Sequence, residues 1–163
     1  MPIALYRIDD RLVHGQVVVG WGQPLNLGFI VLVDDVVAES DWEQELYRLG
    51  VPPGMDVYFV STSDAARGLA RYVSDRRVGM VLTGTVDTML ALARTAALPI
   101  AAVNIGGIHY REDRTQRLRY VFLNKGEELA LREMSALGVA VTAQDVPSAT
   151  SHSLDDLLRG CTK

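Results

Sequence analysis

Asp9, Asp10, Arg11 and His14 stand within one short stretch of the chain, Ile8-Asp9-Asp10-Arg11-Leu12-Val13-His14-Gly15-Gln16. Together they offer what phosphoryl chemistry asks of side chains. A free imidazole titrates near pH 6.5, so it is mostly neutral at pH 7 and able to attack phosphorus. The planar guanidinium of Arg11 can grip a phosphoryl group with two parallel hydrogen bonds. A carboxylate beside the imidazole accepts a hydrogen bond from the nitrogen that does not react, which fixes the tautomer and raises the basicity of the other nitrogen. Both aspartates cannot face the phosphoryl position. Two charges about 4 Å apart interact by about 4 kcal/mol at an effective dielectric near 20, so a carboxylate placed there would cancel Arg11. One of Asp9 and Asp10 is therefore expected to orient His14, and the residues leave open which.

The elements around this stretch place it where such chemistry collects. Ile3 to Ile8 reads as a strand, and Gln16 to Trp21 carries apolar residues without a breaker until Gly22. The polar residues thus occupy a strand-to-helix turn, at the carboxyl end of a strand. His14 and Gly15 fall at the first helical turn, where the N–H groups of residues such as Gly15 and Gln16 are unpaired and the helix dipole favours an anion. Thr83 and Thr85 follow another strand and offer hydroxyl and backbone donors, since Gly84 permits close approach of the main chain. The alternative for Thr85 is a helix cap. His109, after Gly106-Gly107, lies at a third strand end and could approach the same cleft, or be a surface loop residue. His152 reads as exposed or a local cap, and Trp21 and Trp42 as packing or partner contacts.

Short apolar runs alternate with helical patterns along the whole chain. Strands are expected at Ile3–Ile8, Phe29–Val33, Asp56–Val60, Gly79–Thr83, Ile100–Asn104, Tyr120–Leu123 and Val139–Ala143. Helices are expected at Gln16–Trp21, Asp41–Leu49, Asp64–Val73, Val86–Ala96 and Gly126–Leu137. Ser40 with Glu43, and Asn124 with Glu127, have the spacing of capping boxes; Gly50 and Gly138 mark helix ends. Repeated βα units specify an α/β fold: one domain spanning residues 1–163, with an open, mostly parallel sheet and helices on both faces. Gly107 to Leu123 lacks a helical crossover, so Tyr120–Leu123 is expected to join as an antiparallel edge strand.

Composition narrows the function. The 163 residues are 48% hydrophobic and 22% charged, ordinary for a globular domain, and the net charge of −4 argues against nucleic-acid binding. Arg67, Arg71, Arg76 and Arg77 form a basic stretch, but Asp64 and Asp75 interrupt it, as on a solvated helix face. Cys161 is the only cysteine, so no intrachain disulfide or cysteine metal cluster is expected. No three ligands have metal spacing, and neither a P-loop nor a dinucleotide glycine motif follows a strand, so no metal or cofactor is expected. The amino terminus lacks a secretion signal, and the most apolar window, Met89 to Ile108, is broken by Arg94, Pro99 and Asn104; a cytoplasmic protein is expected. A phospho-receiver module would share the acidic pair and a hydroxyl residue such as Thr83. It fails because the third strand has no aspartate at its end, and the fifth ends at Asn104 rather than a lysine.

Arg7-Ile8-Asp9-Asp10-Arg11-Leu12-Val13-His14-Gly15-Gln16-Val17, with Trp21 beyond it, closely resembles the amino-terminal signature of enzyme IIB subunits of the mannose/fructose/sorbose class of the bacterial sugar phosphotransferase system. The resemblance continues through Leu32-Val33-Asp34-Asp35, Val103-Asn104-Ile105-Gly106-Gly107 and Gln144-Asp145-Val146-Pro147, and is looser in Val81-Leu82-Thr83-Gly84-Thr85. It implies that His14 takes a phosphoryl group from a phosphohistidine on a IIA partner and passes it to a sugar during uptake by IIC and IID membrane subunits, with the protein peripherally associated with the inner face of the membrane. A non-transporting regulatory phosphoprotein of the same fold is the alternative.

Overall fold

The computed structural model describes residues 3–96 and 99–159; Cys161 lies outside them. Seven strands form one sheet in the order β3-β2-β4-β1-β5-β8-β9. The first strand, β1 (Ile3–Ile8), occupies the middle of that order, flanked by β4 (Val78–Thr83) and β5 (Ala102–Ile105) in parallel pairing. β2 (Leu27–Val33) and β3 (Asp56–Val60) extend the sheet on one side, and β8 (Ala140–Ala143) on the other. The chain therefore leaves β1 toward one edge, returns to its side through β4, and then continues past it. That reversal opens a crevice beyond the carboxyl ends of the central strands, the usual ligand position in open α/β sheets.

Burial on both faces explains why these strands read as unbroken apolar runs rather than alternating ones. Against one face pack α3 (Thr62–Val73), α4 (Val86–Thr95), α5 (Lys125–Ala136) and α6 (Leu154–Arg159), through Leu69, Met89, Leu131, Met134 and Leu157. The other face is covered by a π-helical segment, Gln16–Trp21, which runs directly into α1 (Gly22–Leu25) and contributes Val17, Val18 and Trp21. α2 (Asp41–Leu49) lies outside this layer with no buried residue of its own.

Two expectations need correction. Val121–Leu123 (β7) does not enter the main sheet as its antiparallel edge. It forms a separate hairpin with β6 (Thr115–Leu118), and the antiparallel edge is instead β9 (His152–Ser153) on β8. The hairpin is tied to the loop after β5, where Ile108 donates to Tyr120 O at 2.9 Å and accepts from Phe122 N at 2.9 Å. Ser40, although at the N-cap of α2, makes no side-chain cap bond, whereas Asn124 forms a complete reciprocal box with Glu127. Asn124→Ala should accordingly destabilise the protein by about 1 kcal/mol, or about 2–4 °C in Tm, while Ser40→Ala changes it by less than about 0.5 kcal/mol. Thermal denaturation of the two variants checks the contrast.

Candidate functional site

The site begins with a buried charge. Arg7 is fully buried in the middle of the sheet, beneath the Trp21 ring at 5.0 Å. Removing a guanidinium from water is costly unless its donors find partners, and in Arg7 both terminal nitrogens do while Nε does not. Arg7 Nη1 donates to the side chain of Asn104, its cross-strand neighbour on β5, and to Gln144 O at 3.0 Å. Nη2 donates to Asp145 O at 3.0 Å and to Asp9 Oδ2 at 3.3 Å. Burial pulls the guanidinium below its ordinary range, and the Asp9 carboxylate opposes that pull.

Asp9 is the other half of the pair, also fully buried. Burial pushes its carboxyl up, but His14, Arg7 and the Arg11 amide outweigh it and hold Asp9 below the usual carboxylate range. Its Oδ1 accepts from Arg11 N at 3.3 Å and lies 3.2 Å from His14 Nε2; its Oδ2 receives the Gly107 N–H at 3.4 Å. The His14 Nε2 contact is within ion-pair range but off the line of a good N–H···O bond, and this buried nitrogen has no other partner. The Asp9 carboxylate thus faces the Nε2 edge of the ring. Nδ1 has no partner among the described residues, and the imidazole remains partly open to solvent.

The local chain path is what presents the ring. Leu12 sits at φ +60°, a left-handed conformation that costs an ordinary residue about 1–2 kcal/mol. Its side chain is buried with Val13, Val17 and Leu82, and its N–H closes a turn onto Asp9 O at 3.0 Å, which compensates. The π-helical segment then starts, with His14 O accepting from Val18 N at 2.9 Å. π-helical turns recur at functional sites because they displace side chains from the α-helical register.

Asp10 does not share the imidazole of His14. It turns to His109, accepting from the backbone N–H at 2.8 Å through Oδ2 and contacting ring Nδ1 at 2.5 Å through Oδ1. The expectation that one of the two aspartates faces His14 resolves to Asp9. Arg11 makes no ion pair among the described residues; its Nη2 donates to Gln16 Oε1 at 3.2 Å, and Gln16 Nε2 donates to Asp145 Oδ1 at 2.9 Å. An arginine whose side chain meets only a neutral amide keeps its charge available for an incoming anion. Arg11, Gln16, Gly107, His109, Arg119, Tyr120, Phe122 and Asp145 line a cleft of about 300 Å³. Gly15 is exposed at the helix start.

Thr83 and Thr85 are brought to the same end of the sheet, but their hydroxyls are engaged within the chain. Thr83 is buried, with Oγ1 donating to Thr85 O at 3.1 Å and its own carbonyl accepting from Asp9 N at 2.9 Å. Thr85 Oγ1 caps α4, accepting from Thr88 N at 3.1 Å. His152, read as exposed or a local cap, is instead half-buried on the edge strand β9. Sequence reasoning missed Arg7 and Asn104 as site residues, together with the Asp145 contacts; the available signal was an arginine inside an otherwise apolar central strand, where a charge is rarely buried without a purpose.

A buried arginine–aspartate pair lies beside a partly open histidine at the switch point of a doubly wound sheet. Comparison with known proteins gives the family. Residues 3–163 match the family described as the sorbose subfamily IIB component of the PTS. The sorbose-specific EIIB component of Klebsiella pneumoniae is 34% identical over 160 residues, covering 96% of this chain and 94% of that protein. The N-acetylgalactosamine-specific phosphotransferase enzyme IIB component 2 of Escherichia coli K12 is 30% identical, covering 97% and 100%. The crystal structure of the IIBSor domain of the K. pneumoniae sorbose permease superposes over the full length of both chains with a TM-score of 0.86 at 32% identity. The chain belongs to the sorbose subfamily of phosphotransferase-system IIB components, and with that membership comes a role in phosphoryl transfer in the sugar phosphotransferase system. No helix among the described residues is long and apolar enough to cross a membrane.

Asp9→Asn should leave Arg7 buried without its counter-charge and destabilise the protein by about 3–5 kcal/mol at pH 7. Because the folded state holds Asp9 below its ordinary range near 3.9, the contribution is complete above that pH and is withdrawn as the pH falls below it. The gap between parent and variant in urea denaturation should therefore be constant from pH 5 to 8 and narrow in acid. Gly106→Ala tests the same pair from the other side, since a Cβ there overlaps Arg7 Nη2 and approaches Asp9 Oδ2 to 2.7 Å; a loss of several kcal/mol is expected in the same measurement.

Proposed function

We propose that this chain is a protein-histidine phosphotransferase in which His14 carries the phosphoryl group. The observation that carries the reading is the Asp9 carboxylate beside Nε2, with Nδ1 left unpartnered on the solvent side. A proton kept on Nε2 makes Nδ1 the nucleophile when a phosphoryl donor arrives, and later makes the departing group a neutral imidazole. Arg11 neutralises the transferring oxygens, assisted by the first-turn amides of Gly15 and Gln16. Asp9 orients the ring, while the Asp10 carboxylate turns to His109. Thr83 and Thr85 act by fixing the backbone beneath the site rather than by offering their hydroxyls.

The donor is a phosphohistidine on a IIA protein. In support, the mannose-specific EIIAB component of E. coli K12, 29% identical over 160 residues, is a longer protein of which this chain spans 49%. The acceptor is a sugar presented by IIC and IID membrane subunits, which would bring the protein to the inner face of the membrane.

On incubation with phosphorylated IIA, the protein should take up an acid-labile, alkali-stable label that His14→Ala abolishes. Label persisting in that variant would remove His14 from the role. Arg11→Ala should slow transfer by about 100-fold or more, and Arg11→Lys by less, read as single-turnover rates; a parental rate for Arg11→Ala would reduce the residue to a surface charge.

A further inference from the structure

Beside the His14 pair stands a second carboxylate–imidazole pair that phosphoryl carriage does not use. Asp9 and Asp10 are consecutive, and each points at a different histidine. His109 has 61% of its side chain exposed, yet it is fixed at three points. Asp10 takes its backbone N–H at 2.8 Å and its ring Nδ1 at 2.5 Å, and Arg114 Nη1 donates to its carbonyl at 2.9 Å. Arg114 is in turn clamped by both oxygens of Glu127, the residue that completes the capping box of α5. Asp10 N donates to Gly107 O at 2.9 Å, stitching the β1 and β5 loops together beneath the ring. A histidine left on the surface by chance has no need of such anchoring. Its Nε2 has no partner among the described residues, and the ring lines the 300 Å³ cleft with Arg11, Arg119 and Asp145.

The two half-reactions of a phosphoryl carrier differ in one respect. When His14 is loaded from a phosphohistidine, a nitrogen lone pair attacks and no proton is released. When the group moves to a sugar, the attacking atom is a hydroxyl oxygen, and its proton must go somewhere. We propose that His109, oriented by Asp10, is the general base that takes the proton of the acceptor hydroxyl. The inference rests on His14 as the carrier. The P–Nδ1 bond breaks with its electron pair returning to the His14 imidazole, which keeps its Nε2 proton and leaves neutral. The P–O bond forms from the hydroxyl oxygen, and the O–H proton passes to the lone pair on His109 Nε2. The resulting imidazolium is stabilised by the Asp10 carboxylate against Nδ1, in the manner of a base oriented by an acid. His109 is thus a catalytic residue for the sugar step alone, and Asp10 a positioning residue acting through it.

The test separates the half-reactions. Full-length protein is loaded with labelled phosphoryl groups from phosphorylated IIA, then discharged either back to unlabelled IIA or onto sorbose, fructose, mannose or N-acetylgalactosamine with membrane vesicles containing the cognate membrane subunits, using the sugar that the parent discharges onto. His109→Gln should load and return the label within about twofold of the parent but transfer it to sugar about 100-fold more slowly, the low end for general-base catalysis. Asp10→Asn should show the same split with a smaller loss, which a merely structural role would not produce because loading is unaffected. Sugar transfer by His109→Gln within threefold of the parent would overturn the proposal. Equal slowing of loading and sugar transfer would overturn it as well, making His109 a phosphate contact. Failure of the parent to take label at His14 would instead refute the carrier reading on which the proposal stands.

Discussion

The ion pair between Arg7 and Asp9 is the constraint from which the site follows. Both side chains are fully buried, so neither charge can be removed without stranding the other, a loss of about 3–5 kcal/mol in comparable pairs. To keep Arg7 neutralised, the fold commits Asn104 on β5, two carbonyls after β8 and a glycine at position 106 that leaves room for the guanidinium. Three strands are thereby locked at their carboxyl ends, where the site lies. With Asp9 held in place, the direction of His14 Nε2 is set by the interior of the protein, and Nδ1 has no partner among the described residues.

Adjacent residues divide the labour. In an extended or turning backbone, consecutive side chains point to different sides, so the Asp9-Asp10 pair can serve an interior and an exterior imidazole from one loop. Neither carboxylate of the acidic dipeptide is without a partner: Asp9 faces Arg7 and Asp10 faces His109. Arg11, between them and His14, is the charge without an ionic partner among the described residues. The chain as a whole carries a net charge of −4, yet the Arg11 side chain meets only the neutral amide of Gln16.

Local signals read well from the sequence because local physics made them. The strand Ile3–Ile8, the turn after it, the helix from Gln16 and the Asn124–Glu127 box depend on residues within a few positions of one another, and all four are present. The π-helical register of Gln16–Trp21 was not legible, since an apolar run of six residues does not distinguish one helical pitch from another. The strand expected at Tyr120–Leu123 pairs with Thr115–Leu118 rather than with the sheet, because strand patterning says nothing of which partner is chosen. The largest gap was Arg7. Its partners at 104, 144 and 145 come from strands distant in sequence, and only the assembled sheet brings them to one place. The division between Asp9 and Asp10 was hidden for the same reason, because it depends on where the loop after β5 delivers Gly107 and His109.

The central claim is that Asp9, fixed by Arg7, keeps Nε2 of His14 protonated and so assigns the phosphoryl group to Nδ1. Nitrogen-15 and phosphorus-31 NMR of the protein phosphorylated with labelled histidine distinguishes the two isomers directly. The account predicts a single phosphohistidine with phosphorus bonded to Nδ1 of His14 and a proton on Nε2. Phosphorus on Nε2 would contradict it, since that nitrogen is the one the buried carboxylate faces.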